Sequence, residues 1–357
     1  EYCTMKRMIA DRQIFLWLLS GVFMLLLQII LGGITRLTGS GLSITRWDII
    51  TGIIYPLSDV EWMKAFDMYK QTPQYSKINH GISLGEFKFI YFWEYFHRLW
   101  ARLMGLVFVI PFLYFLIKGR LSRKLIYDLL IVVVLAVFVA SLGWIMVASG
   151  LVHRPWVNAY KLSFHLCAAV LLIGFLWWTA LCYGWSHKRV AANKTTVNLI
   201  RILIGICFVQ IFLGGVMSGM KAGIAAPTWP DMGGHWLPLG IDEISEKNWS
   251  LFGDYDQDVV NPLVIQFFHR NVAYVVFAIS LFAIFYSFRI RQRELTKRLV
   301  ILLALLTVQI GLGIITILNC VGYVPLLWGV LHQLTGIICF LYILYLVFLT
   351  KAVIPLE

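Results

Sequence analysis

Apolar residues fall in eight long runs, at roughly 13–34, 89–117, 125–148, 160–184, 198–219, 263–288, 299–318 and 324–350. A helix needs about 20 mostly apolar residues to cross the hydrocarbon of a bilayer. An open strand cannot cross, because its unpaired backbone groups would meet no partner in lipid. The runs therefore predict an all-α membrane protein with eight transmembrane helices. The polar stretches between them are of two kinds. Connectors 118–124, 185–201 and 289–298 are short and basic, as is the amino end with Lys6, Arg7 and Arg12, and Lys351 lies in the tail. The stretches 35–88 and 219–262 are long and carry many of the acidic residues. Lys and Arg are retained on the cytoplasmic side, so both termini are expected there and the two long loops outside.

The pattern also repeats. The first run ends in QIILGG (Gln28 to Gly33) and the fifth in QIFLGG (Gln210 to Gly215). The third run has Leu142-Gly143 where the seventh has Leu312-Gly313, and EYFHRLWA (Glu94 to Ala101) returns as QFFHRNVA (Gln266 to Ala273), 266 − 94 = 172 positions later. A four-plus-four duplication follows, with an even number of spans keeping the two units parallel. Two tandem pseudo-symmetric four-helix bundles are expected, over 1–190 and 191–357, a form that builds cofactor sites from facing helices. The glycine pairs read as positions where helices pack closely in lipid.

Composition changes this picture little. The chain has 357 residues, 60% hydrophobic and 13% charged, about half the charged share of a soluble domain. The net charge of +12 would suit nucleic acid, but its place in the short connectors makes it a topology signal, and no nucleic-acid partner is expected. The six cysteines include no C-x-x-C and no pair within one loop, so neither a zinc site nor a redox pair is indicated. No cleavage site of the usual kind follows the first run and no Arg- and Ser-rich transit segment appears, which favours a bacterial inner membrane.

Four of the eight histidines change the picture more. His97, His165, His269 and His332 lie one in each even-numbered run, each towards the outer end. Ionisable residues are costly within the bilayer and mark function there. Imidazole is a ligand for haem iron, and two facing helices can supply both axial positions. The residue four past each His is small, namely Ala101, Ala169, Ala273 and Gly336, which leaves room on the same helix face for a flat porphyrin. Arg98 and Arg270 each follow a histidine and are candidate propionate contacts; snorkelling to the interface explains the same positions. His80, His153, His187 and His235 lie in loops and read as solvated. Glu94 sits three residues before His97 on the same face, where the other half has the uncharged Gln266. An ion pair with Arg98 or Arg102 is the rival account of Glu94. The asymmetry favours a reactive amino-terminal half and an auxiliary carboxy-terminal one.

At these residues the chain resembles the haem A synthases, membrane enzymes that oxidise haem O to haem A for cytochrome oxidase. The resemblance rests on GGITRLTGSGLSITRWD (Gly32 to Asp48), EFKFIYFWEYFHRLWARLMG (Glu86 to Gly105), PTWPDM (Pro227 to Met232), QFFHR (Gln266 to Arg270) and the LHQLTG around His332. It implies a permanent haem b on His269 and His332, a substrate haem O site on His97 and His165, and Glu94 as the catalytic carboxylate. The outer loops lack a cysteine pair that some members carry, which places the chain with the proteobacterial and mitochondrial branch. Haem O synthase and an electron partner at the outer face are the implied neighbours, besides lipid. The implied setting is the cell inner membrane with haem sites towards the periplasm, or the mitochondrial inner membrane in a eukaryote. The competing reading is a membrane b-type cytochrome that only carries electrons.

Overall fold

The computed structural model describes residues 11–46, 54–152, 154–184, 189–238, 255 and 260–350. His153, His187, Cys3, the basic Lys6, Arg7, Lys188 and Lys351, and Trp47-Asp48 at the end of the GGITRLTGSGLSITRWD motif lie outside the described residues. Among the described residues, eight helices are long and apolar enough to cross a membrane, one for each apolar run. In chain order they are α1 (Arg12–Leu37), α4 (Leu84–Ile117), α5 (Arg123–Gly150), α6 (Ala159–Gly184), α7 (Lys194–Gly219), α8 (Val260–Arg289), α9 (Arg293–Leu318) and α10 (Leu326–Thr350). The first of the long connectors, expected as a loop, holds two short helices, α2 (Asp59–Lys70) and α3 (Pro73–Lys77).

Local chemistry sets where these helices begin. Asp11 accepts from the backbone N–H of Gln13 at the start of α1, and Ser122 and Asn193 play the same part for α5 and α7. Ser58 with Glu61 and Ser83 with Glu86 form reciprocal capping boxes at α2 and α4, and Thr72 caps α3 ahead of Pro73. Helix α2 lies over the start of α4. Its Trp62, Phe66 and Tyr69 form a separate buried cluster with Phe87 and Ile90, and Phe66 stacks on Phe87 at 4.9 Å between centroids. The turn of α4 leading to Glu94 and His97 is thereby held from outside the span.

Helices α1, α6, α7 and α10 pack on one another in the middle of the molecule. Around them, α4 packs on α1, α5 on α6, α8 on α7, and α9 on both α8 and α10. Lipid tails are as apolar as leucine, so close backbone approach at small residues supplies much of the attraction between such helices. Gly219 is one such position: a Cβ there would lie 2.5 Å from the Cα of Ala159 on α6. Gly215 of α7 likewise lies against Ser163 of α6, whose hydroxyl donates to the carbonyl of Phe212 at 2.6 Å. On the opposite side Gly33 of α1 lies against Gln333 of α10, whose amide donates to the carbonyl of Ile29 at 2.8 Å.

Candidate haem sites

Each of the four intramembrane histidines rests on a glycine of an odd-numbered span. A Cβ added at Gly32 of α1 would lie 3.2 Å from the His97 ring. Added at Gly143 of α5 it would lie 2.9 Å from His165; at Gly214 of α7, 3.0 Å from His269; at Gly313 of α9, 2.9 Å from His332. Real Cβ contacts are rarely that short, so these glycines are the floor on which each imidazole lies. The sequence reading of the glycines as helix-packing positions holds for the second member of each pair, Gly33 and Gly215. It misses the first member, which seats a ring.

Four residues before each seat, one turn along the same face, stand Gln28, Val139, Gln210 and Gln309. The Nε2 of Gln28 lies 3.1 Å from the Nε2 of His97 and donates to its backbone carbonyl at 3.2 Å. Gln210 donates to the carbonyl of His269 at 2.8 Å. The Nδ1 of His165 is 3.0 Å from the carbonyl of Val139, and that of His332 is 3.1 Å from the carbonyl of Gln309. A carbonyl there takes the Nδ1 proton and leaves Nε2 with a lone pair, the tautomer that binds a metal. The rings of His269 and His332 stand opposite each other with planes at 74° and centroids 6.2 Å apart. An iron between two imidazoles, with bonds of about 2 Å, separates ring centres by about 6 Å, so this pair fits a bis-histidine haem. His97 and His165 are close enough to interact electrostatically. Among the described residues no three His, Cys, Asp or Glu gather into a metal cage, and the donor set is one of histidine pairs.

Glu94 is buried and fully engaged. One carboxylate oxygen pairs with Arg98 at 2.5 Å, and the other accepts from the hydroxyl of Ser43 at 2.7 Å and the N–H of Ile44 at 2.8 Å. Arg98 also donates to the carbonyls of Ile44 and Arg46. The ion pair with Arg98 weighed from the sequence is thus present, and it binds the GLSITR stretch over the site. Gln266 is buried too, donating to the carbonyl of Ala226 at 2.9 Å, while its Oε1 has no hydrogen-bond partner among the described residues. Arg270 donates to the carbonyls of Ala226, Thr228 and Asp231. Both arginines therefore stand at the long-loop end of the bundle, tied to loop carbonyls. His80 and His235 are exposed; the first lies beside the Tyr75 ring and the second accepts from the N–H of Met232.

Arg36, which the sequence did not single out, stands one turn beyond Gly32 on the face of α1 that carries Gln28. Its Nη1 is fully buried and has no hydrogen-bond partner among the described residues. The seating glutamines were missed as well, although QIILG, QIFLG and QIGLG (Gln309 to Gly313) share one spacing.

Residues 15–344 match the model of a family described as cytochrome oxidase assembly protein. Heme A synthase of Rhizobium meliloti (strain 1021) is 39% identical over 327 residues, 90% of this chain and 85% of the relative. Heme A synthase of Paramagnetospirillum magneticum is 40% identical over 335 residues, 91% and 90% of the two chains. Heme A synthase of Rickettsia africae is 36% identical over 342 residues, 94% and 97%. With a match running from the first span to the last, this chain belongs to the cytochrome oxidase assembly protein family.

Proposed function

We propose that the protein is a haem A synthase, oxidising a methyl group of haem O to the formyl group of haem A for cytochrome oxidase. The observation that carries this is the pair His269 and His332, with ring centroids 6.2 Å apart over their two glycines, and the same glycine seat under His97 and His165. The relatives named above bear the same activity in their names.

In this reading the chain is two four-helix units, 1–190 and 191–357. His269 and His332 hold a resident haem b, which supplies electron transfer when bound, and His97 and His165 hold the iron of the substrate. Methyl oxidation leaves an electron-poor carbon. Glu94, three residues before His97, is the carboxylate to stabilise that carbon or to take a proton from attacking water. Its three donors fix the carboxylate in place, so it acts by position and charge without having to swing in. Arg98 and Arg270, besides holding the loops, lie at the rim where propionates would reach. The site end of the bundle faces the periplasm, or the corresponding side of the mitochondrial inner membrane, with an electron partner and haem O synthase as neighbours. An electron carrier across the membrane needs centres towards both faces, whereas all four histidines lie at one end, which disfavours that alternative.

The test is the haem extracted from cells that make haem O and express the chain, separated by chromatography. A formyl-bearing haem is expected with the wild type, lost with His97→Ala and strongly reduced with Glu94→Gln at equal expression. His269→Ala and His332→Ala should lower the bound haem b of the purified protein. A wild type that yields no formyl haem, or a Glu94→Gln variant with full output, overturns the corresponding assignment.

A further inference from the structure

The two halves differ in how their second and third spans meet. Helix α8 packs along α9, whereas α4 and α5, joined in the same way by a short connector, scarcely touch. The inner part of α5 matches α9: Leu125, Leu129 and Val132 are buried like Leu295, Leu299 and Leu302, at an offset of 313 − 143 = 170. Outward of Val132 the likeness ends. Ala136 and Ala140 stand where α9 has Leu306 and Ile310, and Gly105 of α4 stands where α8 has Phe277, at the offset of 172. Three large side chains are replaced by three small ones, on the two helix faces that border the gap. Leu306 is buried and Phe277 and Ile310 are half-buried, but Gly105, Ala136 and Ala140 are exposed, as is Ala101 one turn from His97. A Cβ at Gly105 would meet nothing within 4 Å. The opening reaches the site directly, since Ala136 and Ala140 share a helix face with Gly143, the seat of His165.

The opposite edge of the site differs too. Arg36, one turn beyond the His97 seat towards the long loops, has Ser218 as its counterpart at an offset of 214 − 32 = 182. Its buried Nη1 without a partner is a cation waiting for an anion at that edge. A haem with a prenyl substituent carries its two propionates on one side of the ring and the prenyl tail on the other. The charged edge of the site lies towards the loops and the apolar opening lies towards mid-membrane, which matches that arrangement.

We propose that the amino-terminal site takes its substrate in one orientation, with a propionate on Arg36 and the prenyl tail lying out between α4 and α5 along Ala101, Gly105, Ala136 and Ala140. The closed α8–α9 seam is the form expected of a site whose haem has no prenyl tail. The proposal rests on the reading of His97 and His165 as the substrate haem site.

The test uses the full-length protein in lipid nanodiscs, titrated with haem O and with protohaem, which lacks the tail, and followed by visible absorption. Filling the opening with the counterpart side chains, Gly105→Phe with Ala136→Leu and Ala140→Ile, should weaken haem O binding about tenfold or more, the loss of a few buried methylene contacts, and leave protohaem binding unchanged. The single Ala140→Ile should shift haem O in the same direction by less, with helical circular dichroism and a monodisperse elution peak reporting the fold of each variant. Arg36→Gln should weaken both haems by a similar factor and should bind the dimethyl ester of haem O no worse than haem O itself. If the filled variant binds haem O as the wild type does, or haem O and protohaem bind the wild type alike, the opening holds only bulk lipid. If Arg36→Gln leaves both affinities unchanged, the propionate contact is wrong. If His97→Ala and His165→Ala alter the binding of neither haem, the failure lies in the reading of the site and not in the orientation.

Discussion

At the scale of the residue, the position of each imidazole is decided by the absence of a single carbon. The His332 ring lies 2.9 Å from where a Cβ of Gly313 would be, so Gly313→Val has to push the ring off its seat or force α9 away from α10. With His332 as the haem ligand proposed above, displacing its ring would weaken iron binding more than the fold, because the ring hydrogen bond to the Gln309 carbonyl is lost with it. The expected outcome is a purified variant with well under half the wild-type haem b, read by the pyridine haemochrome spectrum, and near-normal helical content. The histidines were legible in the sequence because imidazole inside an apolar run is conspicuous. Their seats were less so, since a glycine in a lipid-spanning helix already has a sufficient explanation in backbone packing. A threefold Gln-Ile-x-Leu-Gly spacing was the signal that separates the two roles. Glu94 shows the other limit: sequence places it on the His97 face, but the three donors that fix it come from Arg98, Ser43 and Ile44, two of them some fifty residues away in a loop.

At the scale of the element, all eight spans were legible because length and hydropathy suffice when the solvent is lipid. Helices α2 and α3 were not, since they are short, polar and stabilised by caps and an aromatic cluster instead of a long apolar face. The two short turns at the other end of the bundle carry a testable difference. Gly119, between α4 and α5, has φ +63°, and Arg291, at the matching place between α8 and α9, has φ +58°. A side chain in this left-handed region costs about 1 kcal/mol relative to glycine. Arg291→Gly should therefore raise the thermal midpoint of the detergent-solubilised protein by a few degrees with no change in bound haem. Removing the arginine's charge has to be controlled by Arg291→Asn, which keeps the turn favourable with a different side chain.

At the scale of the whole molecule, the central seam between α6 and α7 is made where a glycine meets backbone. A Cβ at Gly219 would stand 2.5 Å from the Cα of Ala159, and no rotamer change can relieve a contact with main chain. Gly219→Val should cost roughly 1–3 kcal/mol or more by overpacking, seen as a lower melting temperature. Gly105 of α4, where a Cβ would meet nothing within 4 Å among the described residues, is the contrasting case, and Gly105→Ala should keep or slightly raise the melting temperature.

Helix α1 illustrates how little freedom such an arrangement leaves. Gly32 lies under the His97 ring and its neighbour Gly33 lies against Gln333 of α10, beside His332. Each added or deleted residue turns the rest of a helix through about 100°. Losing one residue between Gln28 and Gly32 would therefore swing both glycines out of phase at once, unseating a histidine in one half and opening the contact with the other. No neighbouring side chain could repair both, because the two faults point in different directions around the same axis. A change in chain length within this stretch therefore breaks both contacts together, and this end of α1 works as a key cut on two sides.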